Sequence, residues 1–235
     1  MEGAFGVRAD PLSLGSEPAV PDLIVHGPPS SGRAVLLLPG FGDTSAVFTD
    51  RLDLIDPDGQ WMVAVAEPVA RGPEGPMWYV VDEHGPDPEG VASATAAIDR
   101  ALDEVARRAE IARTDVVIGG HSQGGAAALA TLLDPTCGPP PAAAVVLAGY
   151  LPHREGLLDG TRVDARPVLA VHATRDRAVE MVRGRSAAKA LGRWGAEVTW
   201  REVDGGHRLG PHLLAPLRDW LADLAAGRRP EPSPP

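Results

Sequence analysis

The chain has 235 residues, of which 44% are hydrophobic, so it can bury a substantial core, and α/β folds of this length usually form one domain. A formal net charge of -10 argues against a nucleic-acid partner, which would normally require a basic surface. Cys137 is the only cysteine, which excludes an intrachain disulfide and a cysteine-based metal cluster; we expect neither metal nor cofactor. The first twenty residues lack a signal-peptide pattern and no apolar run approaches the ~20 residues that span a bilayer, so we expect a soluble, cytoplasmic protein without an integral membrane span.

The first third of the chain predicts the opening strands of a sheet. Residues 1 to 22 are rich in Gly, Pro and Ser and are expected to form a loosely ordered lead-in. Residues 23 to 26 are predicted as an outer strand. The runs at 34 to 38 and 62 to 66 are apolar throughout, which suits strands covered on both faces in a parallel sheet. Between them, the helical spacing of apolar residues predicts a short helix over 45 to 55.

The second strand ends in the loop Pro39-Gly40-Phe41-Gly42. One alternative is a truncated dinucleotide fingerprint, but Ser45 stands in place of its third glycine and no acidic ribose ligand follows at the expected distance. The favoured alternative is an oxyanion loop, because in a hydrolase the loop after this strand supplies a backbone donor. That donor would be the N–H of Phe41, which has a glycine on either side.

A long segment from 67 to 90 is dense in Pro and Gly and carries Met77-Trp78-Tyr79 at its centre. Long loops with aromatic residues are usually functional in compact domains. We therefore predict that Met77, Trp78 and Tyr79 line a substrate pocket. The alternative is that Trp78 and Tyr79 seal the edge of the core. A helix with one apolar face is predicted to follow over 91 to 111.

The central motif is Gly120-His121-Ser122-Gln123-Gly124, which follows the β-branched run at 116 to 118 and precedes an alanine-rich segment. Strand, sharp turn and helix in this order predict a nucleophile elbow with Ser122 at its apex. The flanking glycines are expected because larger side chains would collide with neighbouring backbone. The N–H of Gln123, at the helix start, is a second candidate oxyanion donor. His121 is next to the nucleophile and is expected to shape the turn or to pack beneath it, because a base must face the hydroxyl from across the site.

Two further loops supply a candidate acid and a candidate base. Strands are predicted at 142 to 148 and 167 to 172, and the loop after the second carries Asp176. A covering helix over 180 to 194 and an alternating edge strand over 197 to 203 lead to His207. A serine nucleophile needs a base, and the base needs an anion that fixes its tautomer. Parallel strands would bring these loops to one sheet edge beside Ser122.

Rival acids and bases exist in the same part of the chain. Asp159 and Asp164 fall in a surface segment, and Asp204 precedes the histidine too closely to reach its far nitrogen. His212 falls inside a helix that Pro211 opens, while His172 ends a strand and is expected to support the acid loop. Placement therefore favours Asp176 and His207.

Strands alternating with helices predict one α/β domain over residues 23 to 227, with a mostly parallel twisted sheet and helices on both faces. The last helix presents leucines at helical spacing on one face. Residues 228 to 235 are polar and proline-rich and are expected to form a disordered tail.

At these positions the sequence resembles the phospholipase/carboxylesterase family of α/β-hydrolases, which includes bacterial carboxylesterases and the acyl-protein thioesterases. The resemblance covers about residues 33 to 220 and depends on the motifs at 38–44, 77–79, 120–125, 172–179 and 205–209. It implies an α/β-hydrolase fold, a triad of Ser122, Asp176 and His207, and an oxyanion hole formed by the backbone of Phe41 and Gln123. The chain departs from the family at Pro39, where the family usually has histidine, which leaves substrate preference open.

The predicted function is serine hydrolysis of a small acyl ester or thioester through an acyl-enzyme. One alternative is an acyltransferase or cyclase of secondary metabolism, which would pass the acyl group to an amine or alcohol. Another is a non-catalytic binding protein on the same fold, which the presence of all three triad residues disfavours. A homodimer is compatible with the sequence, as is a monomer.

Overall fold

The computed structural model describes residues 20–152, 160–233 and 235, so most of the predicted lead-in, residues 1 to 19, lies outside the described residues. The described strands are β1 (Leu23–His26), β2 (Ala34–Leu38), β3 (Met62–Ala66), β4 (Ala70–Gly72), β5 (Gly75–Met77), β6 (Val81–Asp82), β7 (Gly85–Pro86), β8 (Val116–His121), β9 (Ala143–Leu147), β10 (Pro167–Ala173) and β11 (Glu197–Val203). The described helices are α1 (Ala46–Thr49), α2 (Leu52–Ile55), α3 (Pro88–Ala109), α4 (Gln123–Leu133), α5 (Met181–Arg193) and α6 (Pro211–Ala225). Short 3-10 turns lie at Pro29–Ser31, Arg113–Asp115 and Gly160–Val163.

In the part of the chain that the structure describes, the main sheet has seven strands in the order β1-β3-β2-β8-β9-β10-β11. Strand β1 pairs antiparallel with β3, and the other neighbours in the sheet pair parallel. Because β2, β8, β10 and β11 run in the same direction, the loops that leave their carboxyl ends emerge at one edge of the sheet. The loops that follow β2, β8, β10 and β11 therefore lie at the same edge, although they are far apart in the sequence.

Alternate residues of the central strands enter two apolar clusters on opposite faces. In β2, Leu36 and Leu38 belong to the cluster that also holds buried residues of α3, α4 and α5, whereas Val35 and Leu37 belong to the cluster that holds buried residues of α1, α2 and α6. This arrangement explains why the central runs are apolar at every position rather than at every second one. The predicted architecture, a mostly parallel sheet with helices on both faces, is confirmed.

Helix α3, the longest of the described helices, has clear residues for its start and its end. The side chain of Asp87 accepts hydrogen bonds from the backbone N–H groups of Glu89 and Gly90, and Pro88 occupies the first turn. Such a side-chain cap satisfies donors that have no partner within the helix. The helix ends at Glu110, which has a left-handed backbone with φ of 54°.

Two segments differ in detail from the sequence prediction. The helix expected over 45 to 55 is two one-turn helices, α1 and α2, separated at Asp50 and Arg51. The segment from 67 to 90 folds into two small antiparallel hairpins, β4–β5 and β6–β7. Strands of two or three residues are too short for an alternating pattern to be recognised in the sequence.

The chain end lies against the outer strand of the sheet. Residues 228 to 235 are predicted to be a disordered tail, but the N–H of Ser233 donates to the carbonyl of Val198 at 2.9 Å. The N–H of Trp200 donates in return to the carbonyl of Ser233 at 2.8 Å. This part of the tail therefore adds a short bridge to β11. Within the described ranges, none of the helices combines the length and apolarity needed to cross a membrane.

Candidate active site

Ser122 lies at the sharp turn between β8 and α4. Its backbone has φ of 53° and ψ of -119°, a conformation that is costly for a residue with a side chain and that occurs at functional turns. The N–H of Ser122 donates to the carbonyl of Leu147 at 2.9 Å, which ties the turn to β9. The residue is 9% exposed. The strained turn holds the hydroxyl at the sheet edge while β8 and α4 remain regular.

The two glycines that flank the serine are explained by backbone contacts. A Cβ on Gly120 would overlap the carbonyls of Gly124 and Leu38. A Cβ on Gly124 would overlap the carbonyls of Leu38 and Pro39. Strand β2, the turn and α4 thus approach one another more closely than any side chain allows.

His207 connects the serine to the aspartate. Its Nε2 lies 2.9 Å from Oγ of Ser122, and its Nδ1 lies 2.7 Å from Oδ2 of Asp176. Both distances are within hydrogen-bonding range. With Nδ1 protonated and donating to the carboxylate, Nε2 carries the lone pair that faces the hydroxyl. The structure therefore brings together the three side chains that the sequence singles out.

The Asp176 carboxylate is fixed by its own loop. Its Oδ1 accepts hydrogen bonds from the N–H groups of Ala178 at 3.0 Å and Val179 at 2.9 Å, which leaves Oδ2 for His207. The side chain of Asp176 is fully buried. Behind it, Nε2 of His172 donates to the carbonyl of Val179 at 2.8 Å and lies 3.4 Å from Oδ2 of Asp176. His172 thus contacts the acid loop, where the sequence places it.

His121 contacts the histidine loop rather than the serine hydroxyl. Its Nε2 lies 2.7 Å from the carbonyl oxygen of His207, and because a carbonyl only accepts, Nε2 must carry the proton. Burial lowers the pKa of His121 to about 4, so the ring is neutral near pH 7. The two imidazole rings lie 4.9 Å apart between centroids. The residue expected to shape the turn therefore also holds the backbone of His207.

Gln123 follows the serine in the chain, and the loop that carries Phe41 passes beside it. Gln123 is the first residue of α4, where backbone N–H groups have no acceptor within the helix. The N–H of Phe41 has no acceptor among the residues that the structure describes, and the residue is 43% exposed. A Cβ on Gly40 would lie 3.3 Å from Cβ of Ser122, so this loop passes directly beside the nucleophile. Two free N–H groups near one hydroxyl can bind a negatively charged oxygen.

Residues 77 to 79 lie against the elbow. The side-chain amide of Gln123 accepts from the N–H of Trp78 at 2.9 Å and donates to the carbonyl of Tyr79 at 2.8 Å. The indole Nε1 of Trp78 donates to the carbonyl of Pro39 at 2.8 Å. Trp78 and Tyr79 are each 1% exposed and Met77 is 7% exposed. Sequence analysis missed these contacts, and the only signal was an amide side chain next to the serine.

The rival acids and bases have other partners or lie elsewhere. The Asp204 side chain is 77% exposed and forms an ion pair with Arg175. His212 has Nε2 3.0 Å from the carbonyl of Gly206 and supports the turn before His207. Asp164 is exposed, and Asp159 lies outside the described residues. Of the described candidates, Asp176 is the carboxylate that lies next to the imidazole of His207.

Many solved structures share this fold, and several of them are esterases. The chain is similar to the Bacillus cereus carboxylesterase, with a TM-score of 0.75 and 20% identity over 88% of this chain and 95% of that one. It is also similar to Zea mays acyl-protein thioesterase 2, with a TM-score of 0.72 and 21% identity over 87% of this chain and 99% of that one. A carboxylesterase from Mesorhizobium loti matches with a TM-score of 0.69 and 22% identity over 81% of this chain and 88% of that one. At these identities the likeness shows the fold.

The sequence itself gives the family. The family model for phospholipase/carboxylesterase proteins matches residues 23–224, a span that runs from β1 to the last turn of α6. It includes both candidate oxyanion loops and every described residue of the site above. The chain therefore belongs to the phospholipase/carboxylesterase family of α/β-hydrolases.

Proposed function

We propose that this protein is a serine hydrolase that cleaves carboxylic esters or thioesters through an acyl-enzyme intermediate. The observation that carries the proposal is the position of His207, whose Nε2 lies 2.9 Å from the Ser122 hydroxyl and whose Nδ1 lies 2.7 Å from the Asp176 carboxylate. A serine hydroxyl is a weak nucleophile at neutral pH, and an adjacent oriented base removes that limit.

In this mechanism Oγ of Ser122 attacks the acyl carbon while its proton passes to Nε2 of His207. The carbonyl oxygen becomes an oxyanion, which accepts hydrogen bonds from the N–H groups of Phe41 and Gln123. The leaving alcohol or thiol takes the proton back from His207, and the acyl group stays on Ser122. Water then attacks the acyl-enzyme with His207 again as base, which releases the carboxylic acid and restores the hydroxyl.

The buried carboxylate has a defined part in this cycle. Asp176 holds Nδ1–H of His207 and stabilises the imidazolium that forms when Nε2 takes the proton. Its own position depends on the two backbone donors at Ala178 and Val179, so the acid does not rotate away when the imidazole becomes charged. The oxyanion donors are backbone groups, which need no side-chain reorganisation during the reaction.

The acyl pocket is proposed to involve Met77, Trp78 and Tyr79. Their segment is hydrogen-bonded to the side chain of Gln123, the residue that follows the nucleophile, and this contact supports a position close to the acyl group. If the Trp78 side chain sets the size of this pocket, Trp78→Ala should change the preference among p-nitrophenyl esters of different acyl length. An unchanged preference would favour the alternative, in which Trp78 and Tyr79 only cover the edge of the hydrophobic core.

The proposed function is tested with Ser122→Ala and hydrolysis of p-nitrophenyl acetate. Loss of the nucleophile is expected to lower kcat up to ~10⁶-fold, as in comparable serine hydrolases. Ser186→Ala is the matched control, because Ser186 lies exposed on α5 and should behave as wild type. A fluorophosphonate probe should label the wild type and Ser186→Ala but not Ser122→Ala. Activity of Ser122→Ala within a few-fold of the wild type would overturn the proposal.

A further inference from the structure

Hydrogen bonds through Trp78 link the side chain of Gln123 to the loop that carries Phe41. The side chain of Gln123 binds the backbone of Trp78, and the indole of Trp78 donates to the carbonyl of Pro39 at 2.8 Å. Three residues further along the same loop, the N–H of Gly42 donates to the carbonyl of Pro76 at 2.8 Å. Segment 76–78 therefore holds both ends of the loop that carries Phe41.

Within the loop, the N–H of Asp43 donates to the carbonyl of Gly40 at 3.2 Å, while the two ends of the loop are bound by segment 76–78. Pro39 has no backbone N–H, so its carbonyl is its only polar backbone group, and Pro39 is buried. A buried carbonyl needs a donor, and the Trp78 indole supplies it. Gly42 has φ of 80°, a conformation that favours glycine. Because glycine has a flexible backbone, it adds little stiffness to the loop.

We infer that Trp78 is a positioning residue that sets the distance between the Phe41 and Gln123 N–H groups, and thereby the geometry of the oxyanion hole. The inference rests on the proposed function and goes beyond it, because it assigns to the Trp78 indole N–H a role separate from any contact with the acyl group. We call the hydrogen bonds between the side chain of Gln123 and the backbone of Trp78 and Tyr79, together with the bond from the Trp78 indole to Pro39, the Trp78 bridge. It links the residue after the nucleophile to the loop on the other side of the oxyanion.

Positioning of the oxyanion donors and lining of the acyl pocket predict different effects of substitutions at Trp78. The reaction of every ester passes through an oxyanion, whatever the length of its acyl chain. Displacement of the Phe41 or Gln123 N–H should therefore slow the hydrolysis of all esters by the same factor. A pocket wall should instead affect short and long acyl chains unequally. The two roles of Trp78 are therefore separable by the dependence of the loss on acyl length.

The test is Trp78→Phe, which removes the indole N–H but keeps an aromatic ring in the core. We expect kcat to fall roughly ten- to a hundred-fold, since small misplacements of reacting groups and the loss of one oxyanion donor have effects of this order. KM should change by less than about three-fold, because an interaction that strengthens in the transition state contributes little to ground-state binding. The fold loss should be equal for p-nitrophenyl acetate, butyrate and octanoate. Rates are expressed per active site after titration with a fluorophosphonate, so that a misfolded fraction does not enter kcat.

A second readout separates positioning from a merely structural role. Phenylboronic acid forms a tetrahedral adduct on a serine hydroxyl and places an oxygen in the oxyanion hole, so its affinity should fall by about the same factor as kcat/KM. Trp61→Phe is the matched control: Trp61 is 4% exposed, and its indole N–H has no acceptor within the described residues. That variant should lose stability from the smaller ring but keep wild-type kcat and boronate affinity.

Gln123→Met provides an independent variant should Trp78→Phe fail to fold. It preserves side-chain length and the backbone N–H but removes both hydrogen bonds to segment 77–79, and it should show the same kcat loss across acyl lengths. Equal kcat and boronate affinity in Trp78→Phe and Trp61→Phe would overturn the bridge, as would a loss confined to long acyl chains. If Ser122→Ala is inactive, either of these results would refute the Trp78 bridge but not the proposed function. An active Ser122→Ala would overturn the proposed function and the bridge together.

Discussion

The carboxylate of Asp176 divides its two oxygens between two partners. Oδ1 accepts from the backbone N–H groups of Ala178 and Val179, and Oδ2 lies 2.7 Å from Nδ1 of His207. The two oxygens are therefore not interchangeable. This division decides what an amide at position 176 would do.

In Asp176→Asn the amide oxygen should take the Oδ1 position, because only an oxygen can accept from the two backbone donors. The NH₂ group then faces Nδ1 of His207 and selects the tautomer with the proton on Nε2, which cannot accept the proton of Ser122. We expect kcat for p-nitrophenyl acetate to fall on the order of 10⁴-fold while the fold is retained. Circular dichroism together with the hydrolysis rate checks this outcome.

Asp204→Asn is the control for this substitution. Asp204 lies close to His207 in sequence but is exposed and paired with Arg175, and surface pairs of this kind contribute little to stability. Its hydrolysis rate should stay within about two-fold of the wild type, since it contacts no group of the proposed triad. A larger loss in Asp204→Asn than in Asp176→Asn would reverse the assignment of the acid.

A second prediction concerns the close approach at Gly124. Gly124→Ala should destabilise the protein by at least roughly 3 kcal/mol, because the added methyl group would overlap the carbonyls of Leu38 and Pro39. Chemical denaturation measures the change in the free energy of unfolding. Gly192→Ala is the matched control, since no atom lies within 4 Å of its Cβ position and it lies in α5. That variant should gain up to ~1 kcal/mol, and similar free energies for both variants would show that the elbow yields to a side chain.

The sheet could be predicted from the sequence because its central strands are covered on both faces. The runs at 34 to 38 and 62 to 66 are apolar at every position, and the structure gives β2 and β3 the same bounds. The small hairpins between 67 and 90 could not be predicted, because their strands are too short to carry a pattern. The segment at 76–79 is held by hydrogen bonds to Pro39, Gly42 and Gln123, which are distant in sequence.

The residues of the site were partly predictable for a similar reason. A glycine-flanked serine after an apolar strand, with later loops carrying Asp176 and His207, gives chain order and a common sheet edge without coordinates. Side-chain contacts between distant loops give no such pattern. Gln123 binds Trp78 across 45 positions and His121 binds His207 across 86, and each pairing depends on how two loops pack. The catalytic, oxyanion and pocket roles remain predictions that the variants above test.

The last prediction concerns the acid side of the stability profile. Burial lowers the pKa of His121 from 6.5 to about 4, so between pH 6.5 and 4 the unfolded chain binds a proton that the folded protein excludes. The free energy of unfolding should therefore fall as the pH is lowered through this window, by up to ~1.4 kcal/mol per pH unit for one such proton. Burial also lowers the pKa of His172, which acts in the same direction.

His121→Gln tests this assignment, because glutamine can still donate to the carbonyl of His207 but does not titrate. Its free energy of unfolding, measured by urea denaturation from pH 7 to 4, should decline less steeply than that of the wild type by up to ~1.4 kcal/mol per pH unit. His84→Gln is the control, since that side chain is 84% exposed, and it should keep the wild-type slope. Equal slopes in wild type and His121→Gln would mean that the imidazole at 121 takes up its proton in the folded protein, and the neutral ring assigned to the hydrogen bond with His207 would then be wrong.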